Sequence, residues 1–227
     1  MEPGQPYTWP WPWVLGTAVV TSAIWGLTLQ STGYGHASAP DLHGYRLAGS
    51  PCAGYNLKPL TDAFRTSRFF ASPADIRTGS ALSQAQCVIT AEAPVRDHWK
   101  NSYTVTVTVE LHKKTDPTAE FEDRNRPNGP NLDSSVLVPG TDETDQVFPV
   151  DHLGDEAYLL TGNAQEQALT VRHGGAVFTI DLAATEQWTG DDIPSDAYGY
   201  PQQMPSLDRF HPALTEGMRR LMGALSP

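Results

Sequence analysis

Tyr103-Thr104-Val105-Thr106-Val107-Thr108-Val109-Glu110-Leu111 decides the fold class. In an extended chain Val105, Val107, Val109 and Leu111 point one way, and Thr104, Thr106, Thr108 and Glu110 point the other. A period of two with one apolar and one polar row marks an antiparallel sheet packed on one face and solvated on the other. Threonine is also what an ordinary strand uses for its wet face, so the row names no ligand.

Downstream, Leu169-Thr-Val-Arg-His173 and Ala176-Val-Phe-Thr-Ile-Asp-Leu182 flank Gly174-Gly175, the signal of a two-residue hairpin. Pairing His173 with Ala176 sets Val171 opposite Phe178 and Leu169 opposite Ile180. All four then share one side, so turn and hydrophobic pattern agree on one register. Leu153-Gly-Asp-Glu-Ala-Tyr-Leu-Leu160 reads as a turn entering another strand, and Cys87-Val-Ile-Thr-Ala91 as a short one. Three helices complete the pattern. Asn56 to Phe64 places Leu57, Leu60 and Phe64 on one face, with Asn56 as cap and Pro59 in the first turn. Asp116 and Pro117 open a short helix through Phe121. Pro212 opens the last, with Leu214, Met218, Leu221, Met222 and Leu225 in one stripe and Arg219 and Arg220 near its end. Arg124 to Asp145 reads as loop, broken at Pro127-Asn128-Gly129-Pro130, and the pattern lapses again from Ala184 to Pro212. The expectation is an α+β fold, an antiparallel sheet of about five strands with flanking helices, preceded by one N-terminal transmembrane helix.

That transmembrane helix is read from Trp13 to Leu29, an uncharged run that Pro12 and Gln30 extend to the lower limit of a membrane span. Trp9, Trp11 and Trp13 cluster at one end, as interfacial anchors do. A cleaved signal is the rival, because Ala37-Ser38-Ala39 has the form of a cleavage site. Against it stand the absence of Lys or Arg before Arg46, the distance of the site from the apolar run, and Pro40 just after the cut. A buried helix is the third reading. Flanks without basic residues leave orientation to the cysteines. Cys52 and Cys87 are the only two in the chain; in an exported protein they pair most simply with each other, tying a helix entry to the start of a strand. The organisation expected is a cytoplasmic tail over 1–12, an anchor over 13–30, a Gly/Ser/Pro/His linker over 31–51 and an extracytoplasmic domain over 52–227. The location is the cell membrane, single-pass with the C-terminal domain outside, or secretion after cleavage near Ala39.

The net charge of −11 disfavours nucleic acid as a partner and otherwise serves solubility. The chain carries no nucleophile elbow, no zinc-protease helix motif and no phosphate-binding glycine loop. Histidines 98, 112, 152, 173 and 211 lack ligand spacing, and His36 and His43 read as isolated linker residues. Asp142, Glu143 and Asp145 lack the spacing of a calcium loop. No cofactor or metal is expected. Two stretches are candidate sites. Asp151-His152 with Asp155-Glu156 offers acid–base groups in a turn. Trp188, Asp191, Asp192, Tyr198 and Tyr200 bring aromatics and acids together in a loop that could form a ligand lip.

The helix entry after Cys52 (Leu57-Lys58-Pro59-Leu60), the strand Cys87-Val88-Ile89, the turn Leu153-Gly154-Asp155-Glu156-Ala157-Tyr158, the hairpin and the closing helix together resemble the actinobacterial cell-envelope lipoproteins and membrane-anchored ectodomains. More remotely they are similar to the extracellular sensor domains of mycobacterial serine/threonine kinases. The resemblance covers about residues 50 to 225. Pro51 before Cys52 breaks the lipobox, so the lipid anchor of that group is not implied, and the group brings no catalytic residues. The function expected is a membrane-anchored binding or sensor module of the cell envelope, not an enzyme, meeting an envelope protein or a small ligand. The alternatives are an envelope hydrolase using the Asp151 to Glu156 turn, or an accessory subunit of a membrane complex.

Overall fold

Alternation in the strand at Tyr103 extends outward on both sides in the computed structural model, which describes residues 39–66, 68–93, 95, 98–125, 146–162, 165–190 and 206–226. In chain order the elements are α1 (Lys58–Ala63), β1 (Phe69–Ala71), β2 (Asp75–Thr78), β3 (Leu82–Glu92), β4 (Trp99–His112), α2 (Thr118–Asn125), β5 (Gln146–Pro149), β6 (Glu156–Thr161), β7 (Glu166–His173), β8 (Ala176–Trp188), a 3-10 turn (Leu207–Phe210) and α3 (His211–Leu225). The strands form one eight-stranded sheet in the order β1-β3-β4-β8-β7-β6-β5, with β2 also paired to β3. Every pairing is antiparallel.

The α+β class holds, and the sheet is larger than the five strands expected. The three additional strands are β1, β2 and β5, each of three or four residues at a sheet edge. They are exposed almost throughout, so they carry no apolar period to read. The long strands are also longer than the sequence suggests. Cys87 lies in the middle of β3, not at its start, and β8 continues past Ala184 to Trp188. The hairpin register is as expected, with His173 opposite Ala176, Val171 opposite Phe178 and Leu169 opposite Ile180.

One sheet face carries the core. Val105, Val107, Val109 and Leu111 of β4 lie beside Ile89 and Cys87 of β3 and Leu182, Ile180 and Phe178 of β8, all buried. α1 and α3 bury Leu57, Leu60, Leu214, Met218, Leu221 and Leu225 in the same cluster. Gly217 of α3 is buried facing Leu57, and a Cβ there would make an ordinary contact with Leu57 Cδ2 at 3.8 Å. Phe64, Tyr103 and Phe210 meet as a ring cluster, stacked at 4.8 Å between the first two, and Arg209 Nη2 donates to the Tyr103 hydroxyl at 2.8 Å. Such a pairing satisfies the one polar group on an otherwise apolar ring.

Helix starts divide into one expectation met and one not. Asp116 Oδ1 accepts from Thr118 N at 2.9 Å, the cap expected for α2, which runs on to Asn125 rather than yielding to loop at Arg124. Asn56 does not cap α1; its side chain is buried and donates to the Pro51 carbonyl at 3.1 Å, bracing the turn before the helix. Cys52 and Cys87 are joined, with Cα atoms 6.1 Å apart, so this turn is tied to the centre of β3. The segment from Ala39 packs with the rest of the domain: Tyr45 is buried in the core, and Arg46 N donates to the Leu225 carbonyl at 3.0 Å. Among the described residues no helix is long and apolar enough to cross a membrane, and the stretch Trp13–Leu29 lies outside them.

Cross-linking residues 35 positions apart restricts the unfolded chain by about 4 kcal/mol. Replacing Cys52 and Cys87 together by alanine is expected to lower the unfolding free energy by about that amount in a urea titration. A loss below about 1 kcal/mol would show that the bond is not holding this turn against the sheet.

Candidate functional site

The hairpin end of the sheet brings together Asp41, His43, Tyr45, Asp155, Arg172 and His173. It starts from a backbone requirement. Gly174 has a φ of +58°, and a Cβ there would collide with the Asp41 carbonyl oxygen and the His43 ring. Glycine alone fits both the conformation and the space. Above it runs a second tight turn, Leu42-His43-Gly44-Tyr45, closed by Tyr45 N donating to the Leu42 carbonyl at 2.9 Å. His43 and Gly44 both have positive φ, 48° and 78°, the pattern of a type I′ turn. A histidine in that region costs about 1 kcal/mol, so the surroundings must hold it there.

Those surroundings are specific. The rings of His43 and His173 stack with centroids 3.8 Å apart and planes 6° from parallel. The Tyr45 hydroxyl lies 2.9 Å from His173 Nδ1, and its ring meets Phe178 edge to face. Gly175 N donates to the Asp41 carbonyl at 2.7 Å, and His43 N to Asp41 Oδ1 at 2.8 Å. Burial, then the neighbouring His43, lowers the pKa of His173, against a raising influence from Asp155 and Asp41. Burial, with Asp155 second, pushes the Tyr45 phenol up.

The acid–base turn expected over Asp151 to Glu156 enters the same region, where Asp155 and Glu156 are paired. Asp155 Oδ2 accepts from Gly174 N at 2.6 Å and stands 3.4 Å from Arg172 Nη1. Glu156 accepts from the Tyr158 hydroxyl at 2.7 Å and stands 3.5 Å from Arg172 Nε, paired in charge without hydrogen-bond alignment. Asp151 and His152 are exposed. Sequence spacing missed His43 and His173 because they are 130 positions apart in the chain. The available signal was the hairpin register, which puts His173 at the turn, where a preceding segment could reach it.

The other site residues fall elsewhere. Trp188 ends β8 opposite Trp99 of β4; their rings meet at 5.1 Å, with His98 5.3 Å from Trp188. Asp191, Asp192, Tyr198 and Tyr200 lie outside the described residues. Among the described residues no group of three or more side chains could hold a metal ion.

The second sheet face holds a residue that sequence reading passed over. Rows from β4, β8 and β7 set Thr106 beside Asp181 and Ala168, and Thr108 beside Thr179 and Thr170. In this hydroxyl-rich field Asp181 stands on a central strand, where burial first, and the nearby Glu166 second, raise its pKa from the ordinary 3.8 to about 6. A lone acid within the run Ala176 to Leu182 was the signal for it.

Compared with known proteins, the chain matches no family model, no curated protein and no solved structure.

A carboxyl whose pKa is raised by folding binds its proton more tightly when folded than when unfolded. Its charged form therefore opposes folding above pH 6, and the opposition fades as pH falls toward 4. Asp181→Asn is expected to stabilise the protein by up to about 3 kcal/mol near pH 8, with the gain vanishing by about pH 4. Urea titrations across that range check it; no gain at pH 8, or a gain independent of pH, counts against a shielded carboxylate. The Trp99–Trp188 contact is expected to show about 1 kcal/mol of coupling in a double-mutant cycle with alanine.

Proposed function

We propose that this chain is a membrane-anchored extracytoplasmic domain that binds or senses a component of the cell envelope and carries no catalytic activity of its own. The observation that supports it most is the Cys52–Cys87 bond, buried within the core. Disulfides of this kind persist in oxidising compartments and are rare in the cytosol. The uncharged stretch over residues 13–30 supplies the tether, and the acidic surface suits a solvated domain rather than a polyanion binder. The non-enzymatic part of the reading is supported by the use made of Asp155 and Glu156: both are engaged in holding the hairpin and its arginine.

The test is topological. Protease added to intact cells is expected to digest the domain while a cytosolic marker survives, and the same protease added to inside-out vesicles is expected to leave the domain whole. Digestion only in the inside-out vesicles overturns the reading.

A further inference from the structure

We propose that the segment Ala39–Arg46 is an acid-released strap, clamped to the β7–β8 hairpin by the stacked pair His43 and His173. Besides the Tyr45 ring, which is buried edge-on to Phe178, four contacts dock the strap: the ring stack, Gly175 N donating to the Asp41 carbonyl, the Tyr45 hydroxyl on His173 Nδ1, and Arg46 N on the carbonyl of Leu225 at the end of α3. Two of the four involve the His173 ring. Neutral imidazoles stack face to face without charge repulsion, and in the tautomer protonated at Nε2, Nδ1 of His173 accepts a hydrogen bond from the Tyr45 hydroxyl. When both rings are protonated, two positive charges lie with their centroids 3.8 Å apart, and Nδ1 of His173 becomes a donor facing a phenol that must turn to accept.

The charged groups facing the pair set how far this goes. From the strap itself, Asp41 Oδ2 stands 3.6 Å from His43 Nδ1. From the turn before β6, Asp155 binds Gly174 N. From β7, Arg172 faces Asp155. His112 N of β4 donates to the Gly175 carbonyl at 2.8 Å, and its ring Nε2 lies 4.0 Å from Glu110 Oε2. At His173, burial, His43 and Arg172 oppose the proton and Asp155 and Asp41 favour it, with the balance against it. The strained turn at His43, held by these contacts, relaxes when they go. Histidine is the side chain whose ordinary titration falls in the range where this occurs.

The sign follows from the folded state. His173 holds its proton less well folded than unfolded, so docking is favourable above its ordinary pKa of 6.5 and is lost as pH falls below it. Release of residues 39–46 would add up to about 25 Å of chain between anchor and domain. That consequence rests on the anchored reading above; the strap itself does not.

Amide hydrogen exchange on the full-length protein in detergent tests it, read at Gly175 and over residues 39–46 and corrected for the intrinsic pH dependence of exchange. Between about pH 7.5 and about pH 5, protection in the strap is expected to fall about tenfold, while β4 stays protected. His173→Phe keeps a ring in the stack without a charge. His43→Asn keeps the left-handed turn, which asparagine tolerates. Each variant is expected to bring the pH-dependent loss below about threefold. A wild-type loss below that level, or an unchanged tenfold loss in both variants, overturns the strap. Neither outcome depends on which side of a membrane the domain occupies, so the exchange result and the protease result fail separately.

Discussion

The apolar row of β4, packed between the matching rows of β3 and β8, is the constraint on which the rest of the structure depends. Val105, Val107, Val109 and Leu111 have nowhere to go but into one face of a sheet, because strand geometry sends every second side chain the same way. Slipping either neighbour by one residue would turn Ile89 or Ile180 outward and Asp181 inward. The register is therefore held by burial along the strands and again by the Gly174-Gly175 turn at one end. Once this face exists, α1 and α3 have a surface to cover, and the disulfide ties the turn before α1 to the strand beside β4.

The long elements were legible from the sequence because burial imprints a period on them. β4, the hairpin of β7 and β8, and the stripe of α3 each bury one face more deeply than the other. β1, β2 and β5 bury almost nothing, so no alternation betrays them, and only hydrogen bonds to a neighbour make them strands. Asn56 shows a different limit. Its position before α1 suits a cap, but the disulfide-linked turn bends Pro51 toward it, and a tertiary contact takes the side chain. The segment 39–51 has the composition of a linker and no period, yet Tyr45 finds the core and His43 finds His173. Contacts over such separations leave no local trace. Of the candidate lip, only Trp188 falls within the described residues, and it pairs with Trp99 of a different strand.

The two faces of the sheet treat their titratable groups in opposite ways. On the second face, shielding of Asp181 makes the folded domain gain stability as pH falls through 6. At the hairpin end, shielding of His173 makes the docked strap lose stability over a neighbouring range. The sheet thus loses the unfavourable charge of Asp181 over a range that overlaps the one that loosens the strap. Such an arrangement lets one segment move while its scaffold holds. Burial is the first cause in both cases, and only the sign of the ionised form differs.

Whether the domain works outside a membrane bears on every functional statement, and the cysteines report it most directly. Cells grown under native conditions are quenched in acid, their free thiols are blocked with a maleimide of known mass, and the full-length protein is then reduced, labelled with a second reagent and weighed. Cys52 and Cys87 are expected to carry only the second label, because they are joined in the cell. First label on both cysteines would place the domain in a reducing compartment and overturn its assignment to the outside of a membrane.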